Sequence, residues 1–164
     1  MHSRLFPVSS LNFERKQINM KTILTSLLTV MVVSFAAAQE IQETQVPSVV
    51  LNAFQLKFPG IKETEWELKD GVYKVECEVQ SREHDLWIDK NGVVQSHKQD
   101  FPKKELPQPI VAYINQHFKD YKIDDADKIT AGGKVSYEVD IEKKPEDRKL
   151  IFSEEGILLE NKVD

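Results

Sequence analysis

The side chains able to do chemistry are few and scattered. Past residue 38 the chain holds one cysteine, Cys77, and three histidines, His84, His97 and His117. Nucleophilic catalysis needs a thiol or hydroxyl within reach of a base. Cys77 lies between Val75 and Val79 in an alternating segment, where a buried thiol acts as a small apolar residue. No elbow motif surrounds any serine. His84 falls in an expected hairpin, His97 near an expected connector, and His117 beside Phe118 on an expected helix. Nothing gathers them into a triad, so they read as surface or helix-edge groups, and the chain is expected not to be an enzyme. Asp89-Lys90-Asn91-Gly92 is superficially similar to the start of a calcium loop but lacks the distal glutamate, and Asn-Gly between apolar strands is first a hairpin turn. Gly132-Gly133 is likewise a turn, so neither a metal nor a cofactor is expected.

What remains is a set of carboxylates at alternate positions. Glu63, Glu65 and Glu67 alternate with Thr64, Trp66 and Leu68, while Glu76 and Glu78 alternate with Val75, Cys77 and Val79. Glu138 and Asp140 alternate with Tyr137, Val139 and Ile141, and Asp125 and Asp127 precede them. On strands this period sends the acids to one face and the apolar side chains to the other. Trp87, and Ile151 at the corresponding place further on, take the acidic side because Leu86, Ile88, Leu150 and Phe152 take the core side. Lys74 and Lys149 interrupt the acids. An indole on an acidic, otherwise open sheet is a candidate anchor for a partner. Charged side chains that merely solvate one face of an antiparallel sheet are the plain alternative. Trp66 shares a face with Leu68 and reads as core.

The elements that position these residues occur twice. Val46-Pro47 opens a segment ending at Phe58, and Leu106-Pro107 opens one ending at Phe118, an offset of 60 residues. Val75–Val79 lies over Val135–Val139 at the same offset. Leu86-Trp87-Ile88 lies over Leu150-Ile151-Phe152 at an offset of 64, after a longer hairpin. Val50, Phe54 and Phe58, like Ile110, Ile114 and Phe118, recur every four residues as one helical stripe. Each copy therefore reads as a proline-led helix followed by a four-stranded antiparallel meander, with the first copy at 46–98, a connector at 99–105 and the second copy at 106–164. The expected fold is α+β, one continuous sheet of about eight strands with both helices on one face.

Residues 1–38 read as a leader. Met20-Lys21 precedes an apolar run to Phe35, then Ala36-Ala37-Ala38. That is the pattern of a signal peptide cleaved near Ala38, with Met20 as an alternative start. The apolar stretch 22–38 is 17 residues, interrupted by Thr25, Ser26, Thr29 and Ser34, whereas a membrane span wants about 20. The expected product has no membrane anchor and carries 18 basic against 26 acidic side chains, a net charge of −8. Nothing in it forms a cationic track for nucleic acid.

The proline-led helix, acidic strand, glycine hairpin and Leu86-Trp87-Ile88-Asp89-Lys90-Asn91-Gly92-Val93-Val94 resemble the PepSY-like family of exported proteins, with Glu155-Gly156-Ile157 a fainter echo. The resemblance covers 46–164. It implies a fold like that of the beta-lactamase inhibitor proteins, a periplasmic or secreted location, and binding or inhibition of another protein such as a peptidase or other envelope enzyme. The beta-lactamase inhibitors are stapled by disulfides, which a chain holding only Cys77 does not share, so that activity is not carried across. The expectation is a non-catalytic module that binds a protein or peptide through Trp87, Glu65, Glu67, Glu76, Glu78, Glu138, Asp140 and Ile151. The alternative is an envelope cation-binding or stress-related protein whose carboxylates hold metal ions weakly.

Overall fold

The structure, a computed structural model, describes residues 38–163. The leader expected at 1–38 lies outside the described residues except for Ala38. Among the described residues no helix is long and apolar enough to cross a membrane.

The two apolar stripes form the helices expected of them. Helix α1 spans Ser48–Lys57 and helix α2 spans Gln108–His117, each beginning directly after a proline, Pro47 or Pro107. A proline there loses no helical hydrogen bond, and its fixed φ suits the helix entry. Val50 and Phe54 are the buried residues of α1, Ile110 and Ile114 those of α2. Phe58 and Phe118 occupy the caps that end each helix, their amides donating to the carbonyls of Phe54 and Ile114.

Among the described residues nine strands form one antiparallel sheet in strict chain order. They are β1 Gln39–Ile41, β2 Thr64–Lys69, β3 Val72–Val79, β4 Arg82–Asp89, β5 Val94–Asp100, β6 Lys122–Ala131, β7 Lys134–Glu142, β8 Arg148–Ser153 and β9 Leu158–Val163. Two departures from the sequence reading stand out. The ninth strand is β1, three residues that pair with Trp66, Glu67 and Leu68 on the outer edge of β2. And β5 runs as strand through Asp100, pairing with β4 on one side and β6 on the other, so the connector starts later than residue 99. A short 3-10 turn, Lys103–Glu105, then leads into α2.

Register places both helices on the same side. The cross-strand series Thr64, Cys77, His84, Gln99, Lys128, Tyr137, Phe152 lies on one face. Its first members pack with Val50, Phe54, Trp66, Leu86 and Ile88 in one apolar cluster, and its last with Ile110, Ile114, Val139 and Leu150 in another. Trp66 is core as expected, 2 % exposed, with its indole N–H donating to Thr64 Oγ1 at 3.0 Å. Polar Gln99 and Lys128 form the seam between the two clusters.

Each helix entry is docked by a glycine turn. Asn91-Gly92 joins β4 to β5, and a Cβ on Gly92 would stand 2.8 Å from the Val49 carbonyl oxygen. Glu155-Gly156 joins β8 to β9, and a Cβ on Gly156 would stand 2.5 Å from Pro109 Cβ. Both glycines also have φ above +80°, which a side chain resists. Asp89 closes the first of these turns, its Oδ1 accepting from the amides of Asn91 and Val93 at 2.8 and 3.0 Å. That carboxylate works as a turn clamp, and the partial calcium-loop signature at Asp89 is spent on backbone.

Candidate functional site

The face away from the helices is laid out in rows by the same register. One row reads Glu67, Lys74, Trp87, Ser96, Ala131, Lys134 from β2 to β7. The next reads Glu65, Glu76, Asp85, Lys98, Ile129, Ser136. A third runs Asp100, Asp127, Glu138, Ile151, Glu160, and a fourth Asp125, Asp140, Lys149, Lys162. All eight sequence-predicted residues therefore lie on the face expected, although they do not form one cluster. Glu65, Glu67, Glu76, Glu78 and Trp87 sit on β2–β4, whereas Glu138, Asp140 and Ile151 sit on β7 and β8. Trp87 on β4 and Ile151 on β8 are four strand spacings apart, roughly 19 Å.

Trp87 is half-buried, with Lys74 Nζ over its ring at 5.6 Å. It forms a wall of two shallow recesses. One, of about 270 Å³, reaches toward Ala38, Glu67 and Val72, and the other, of about 420 Å³, is lined by Asp85, Ser96, Lys98, Ile129 and Glu138. The small side chain of Ser96, opposite Trp87 across the strands, leaves room for the second hollow.

Lysines answer the carboxylates through the middle of this face, which corrects the picture of a uniformly acidic surface. Lys74 pairs with Glu76, and with Asp85 at 3.3 Å. Lys98 Nζ stands 2.8 Å from Asp127 and 3.0 Å from Glu138, and Lys149 Nζ is 2.8 Å from Glu138 and 3.5 Å from Asp140. Burial works against the charge on Lys98, yet its bonds to Asp127 and Glu138 win and hold it above the usual lysine range. Burial likewise pushes Glu138 up, but donation from Lys149 and Lys98 brings it below the usual carboxylate range. Asp127, 7 % exposed, stays raised because desolvation exceeds what Lys98 returns. Acid outnumbers base instead toward the β3–β4 turn. There Glu78 faces Glu83 across the strands, and a cleft of about 660 Å³ is lined by Glu63, Glu65, Glu76, Glu78 and Asp85 with Lys62. Among the described residues no group of three or more His, Cys, Asp or Glu side chains is placed to hold a metal ion.

Two groups escaped the sequence reading. Lys98 and Ile129 complete the hollow beside Trp87, but Lys98 lies in a stretch polar at every position from Gln95 to Asp100, which carries no strand signal. The repeat offset of 64, which lays Val94 over Leu158, is the clue that could have found it. The histidines are a correction. His84, expected in a surface hairpin, is on the helix side and only 8 % exposed. Its Nδ1 lies 2.9 Å from His97 Nε2, the rings stack at 5.2 Å, and Phe58 presents an edge to both. Burial, with Lys57 nearby, pushes His97 down to about 4, and burial lowers His84 as well. Cys77, facing His84 across the strands, is buried as expected, and desolvation raises its thiol to about 11.

Among the described residues a nine-stranded antiparallel sheet, backed on one side by two helices and uncovered on the other, defines an α+β protein with the fold of the beta-lactamase inhibitor proteins. Its solved likenesses include a BLIP-like protein from Bacteroides fragilis, 21 % identical, with a TM-score of 0.62 over 71 % of this chain and 85 % of that one. Others are a protein from Bacteroides eggerthii described among "putative periplasmic proteins", 13 % identical with a TM-score of 0.67, and a DUF2874 family protein from Bacteroides uniformis, 11 % identical with a TM-score of 0.66. These cover 72 % and 71 % of this chain, and 88 % of each of theirs. The family model described as "Putative beta-lactamase-inhibitor-like, PepSY-like" matches residues 33–96 and again 84–160, and the chain belongs to that family. No curated protein matches the sequence.

Proposed function

We propose that this protein is an exported, non-catalytic binding module, built of two PepSY-like copies in tandem, that engages a protein or peptide through the open face of its sheet. The observation that carries the reading is Trp87, a half-buried indole held under Lys74 between two recesses on a face that no helix covers among the described residues. Large amphipathic rings in such settings anchor partners because they bury much area at little entropic cost. Two further observations support the class: the double family match, and neighbours described as periplasmic or BLIP-like. The charge-paired centre favours a partner with an apolar or aromatic group for the Trp87 hollow. The acid-lined cleft near Glu78 favours one whose periphery is cationic, which makes association salt-sensitive.

The test is site-directed photocrosslinking in envelope extract. A photoreactive side chain is placed at Glu65 or Ile151 on the open face, and at Leu56, 85 % exposed on helix α1, as the control. The expected result is a discrete adduct from the open-face positions alone, weakened when Trp87→Ala is added. Adducts only from position 56, or open-face adducts indifferent to Trp87→Ala, would reject the reading.

A further inference from the structure

Strand β9 is the one long edge of the sheet among the described residues. The opposite edge, β1, has three residues, whereas β9 has six with no proline. Its counterpart in the first half, β5, has its outer side taken by β6 through Ser96–Asp100. The outer side of β9 has no neighbour among the described residues, so one ladder of amide and carbonyl groups faces outward. Natural sheets usually blunt such an edge with charged side chains, proline or a bulge, and the bulge of β9 sits at its start, at Leu159. Here the charges are one of each sign, Glu160 and Lys162, and the strand also exposes Leu159 and Val163 at 61 % and 60 %.

The order of these residues has a symmetry of its own. In an antiparallel pairing of β9 with another β9 about a two-fold axis at Asn161, Glu160 of each copy falls opposite Lys162 of the other. Glu160 and Lys162 share a face, since their side chains already meet at 2.9 Å along the strand. The bulge opposite Ile151 and Phe152 makes Leu159 the extra residue, so strand alternation is regular from Glu160 to Val163. The cross-strand contacts that this register makes over the regular part of the strand are favourable, two opposite-charge pairs. Lys162 also lies beside Lys149 on β8, so an incoming carboxylate offsets a like-charge neighbour. A one-residue slip in either direction would lose the charge pairs, so the register is specified.

We propose that β9 is a self-association edge, pairing with β9 of a second copy to give a closed two-fold dimer with one continuous eighteen-stranded sheet. The interface is isologous, so assembly stops at two. It leaves the Trp87 hollow, on β4 and five strands away, unaffected, and the inference stands apart from the binding reading.

Sedimentation velocity of the chain from residue 39 onward, from about 10 µM to about 1 mM, tests it, since an interface this small is expected to be weak. The expected result is a monomer–dimer equilibrium. Glu160→Lys sets like charges against each other at both symmetric contacts and weakens the dimer at least about tenfold. The swap Glu160→Lys with Lys162→Glu restores wild-type affinity to within about threefold, since it reverses both pairs without changing their sum. Because these exposed side chains lie outside the core, thermal melts of the variants check that each remains folded. As a second measurement, Asn161→Cys on the axis gives a disulfide-linked dimer under mild oxidation, while Lys134→Cys at the β6–β7 turn does not. A monomer at every concentration, species larger than a dimer, or a swap variant no tighter than Glu160→Lys overturns the proposal.

Discussion

Replacing Lys98 with methionine keeps the aliphatic stem and removes one charge from the centre of the open face. That ammonium lies 2.8 Å from Asp127 and 3.0 Å from Glu138. The three side chains are only 28 %, 10 % and 14 % exposed, so the carboxylates cannot simply re-solvate. Breaking a buried pair by deleting one partner costs about 3–5 kcal/mol. Lys149 still reaches Glu138, and Lys98 is more than a quarter exposed, so the expected loss is about 2–3 kcal/mol, or a fall of about 10 °C in Tm for a domain of this length. The loss is also pH-dependent. In the variant Asp127, already raised by burial, loses the cation that offset that burial, so its folded pKa rises further above the unfolded value. Stability from that protonation is present at low pH and disappears as pH rises through the raised value. In the wild type Glu138 is depressed, so its contribution is present at neutral pH and fades on acidification. Both effects narrow the gap between variant and wild type as pH falls. Urea unfolding at pH 7.5 and 4.5 measures this, and adding Asp127→Asn is expected to recover at least about 1 kcal/mol at pH 7.5. A loss below about 0.5 kcal/mol, equal at both pH values, would show that the network is surface decoration.

The paired histidines predict an acid weakness. With His97 held at about 4 against an unfolded value near 6.5, its contribution is complete above pH 6.5 and is lost as pH falls toward 4. The full shift corresponds to about 3 kcal/mol, reduced to about 1–2 by the ring's partial exposure, and His97→Gln should flatten that part of the urea-midpoint profile. Gly92→Ala is expected to cost about 2–4 kcal/mol, because a positive φ and a Cβ 2.8 Å from the Val49 carbonyl act together. Gly71→Ala, with the same sign of φ but nothing within 4 Å, should cost only about 1–2 kcal/mol in the same thermal melts. Cys77 should not react with a thiol reagent at pH 8 until the protein is unfolded, since it is buried and its thiol is raised to about 11. Rapid native labelling would refute its placement.

Strand and helix signals were readable where one face had to be apolar. Val50 and Phe54, Val75 and Cys77, and Leu150 and Phe152 all announce the side they bury, and each is buried. Strand β5 is invisible by that rule because neither of its faces meets a core. Lys98 and Asp100 lie on the charged side, and His97 and Gln99 lie over the seam between the two apolar clusters. Three-residue β1 is too short to carry a period. The acidic face was half legible. Alternation gives the facing of Glu138 and Asp140, but the lysines that answer them come from β5 and β8, and only register reveals which cation stands beside which acid. The histidine pair escaped for a related reason. His84 and His97 are thirteen positions apart, and the bulge at Trp87 and Ile88 helps set which rings meet.

Because the strands follow one another across the sheet in chain order, no ladder waits on a distant stretch of sequence. Each hairpin can close as soon as its second strand is available, which lowers the loop-closure entropy of every step and favours fast folding despite the large β content. A polypeptide delivered amino end first could therefore zip progressively, with each newly completed strand serving as the template for the one that follows.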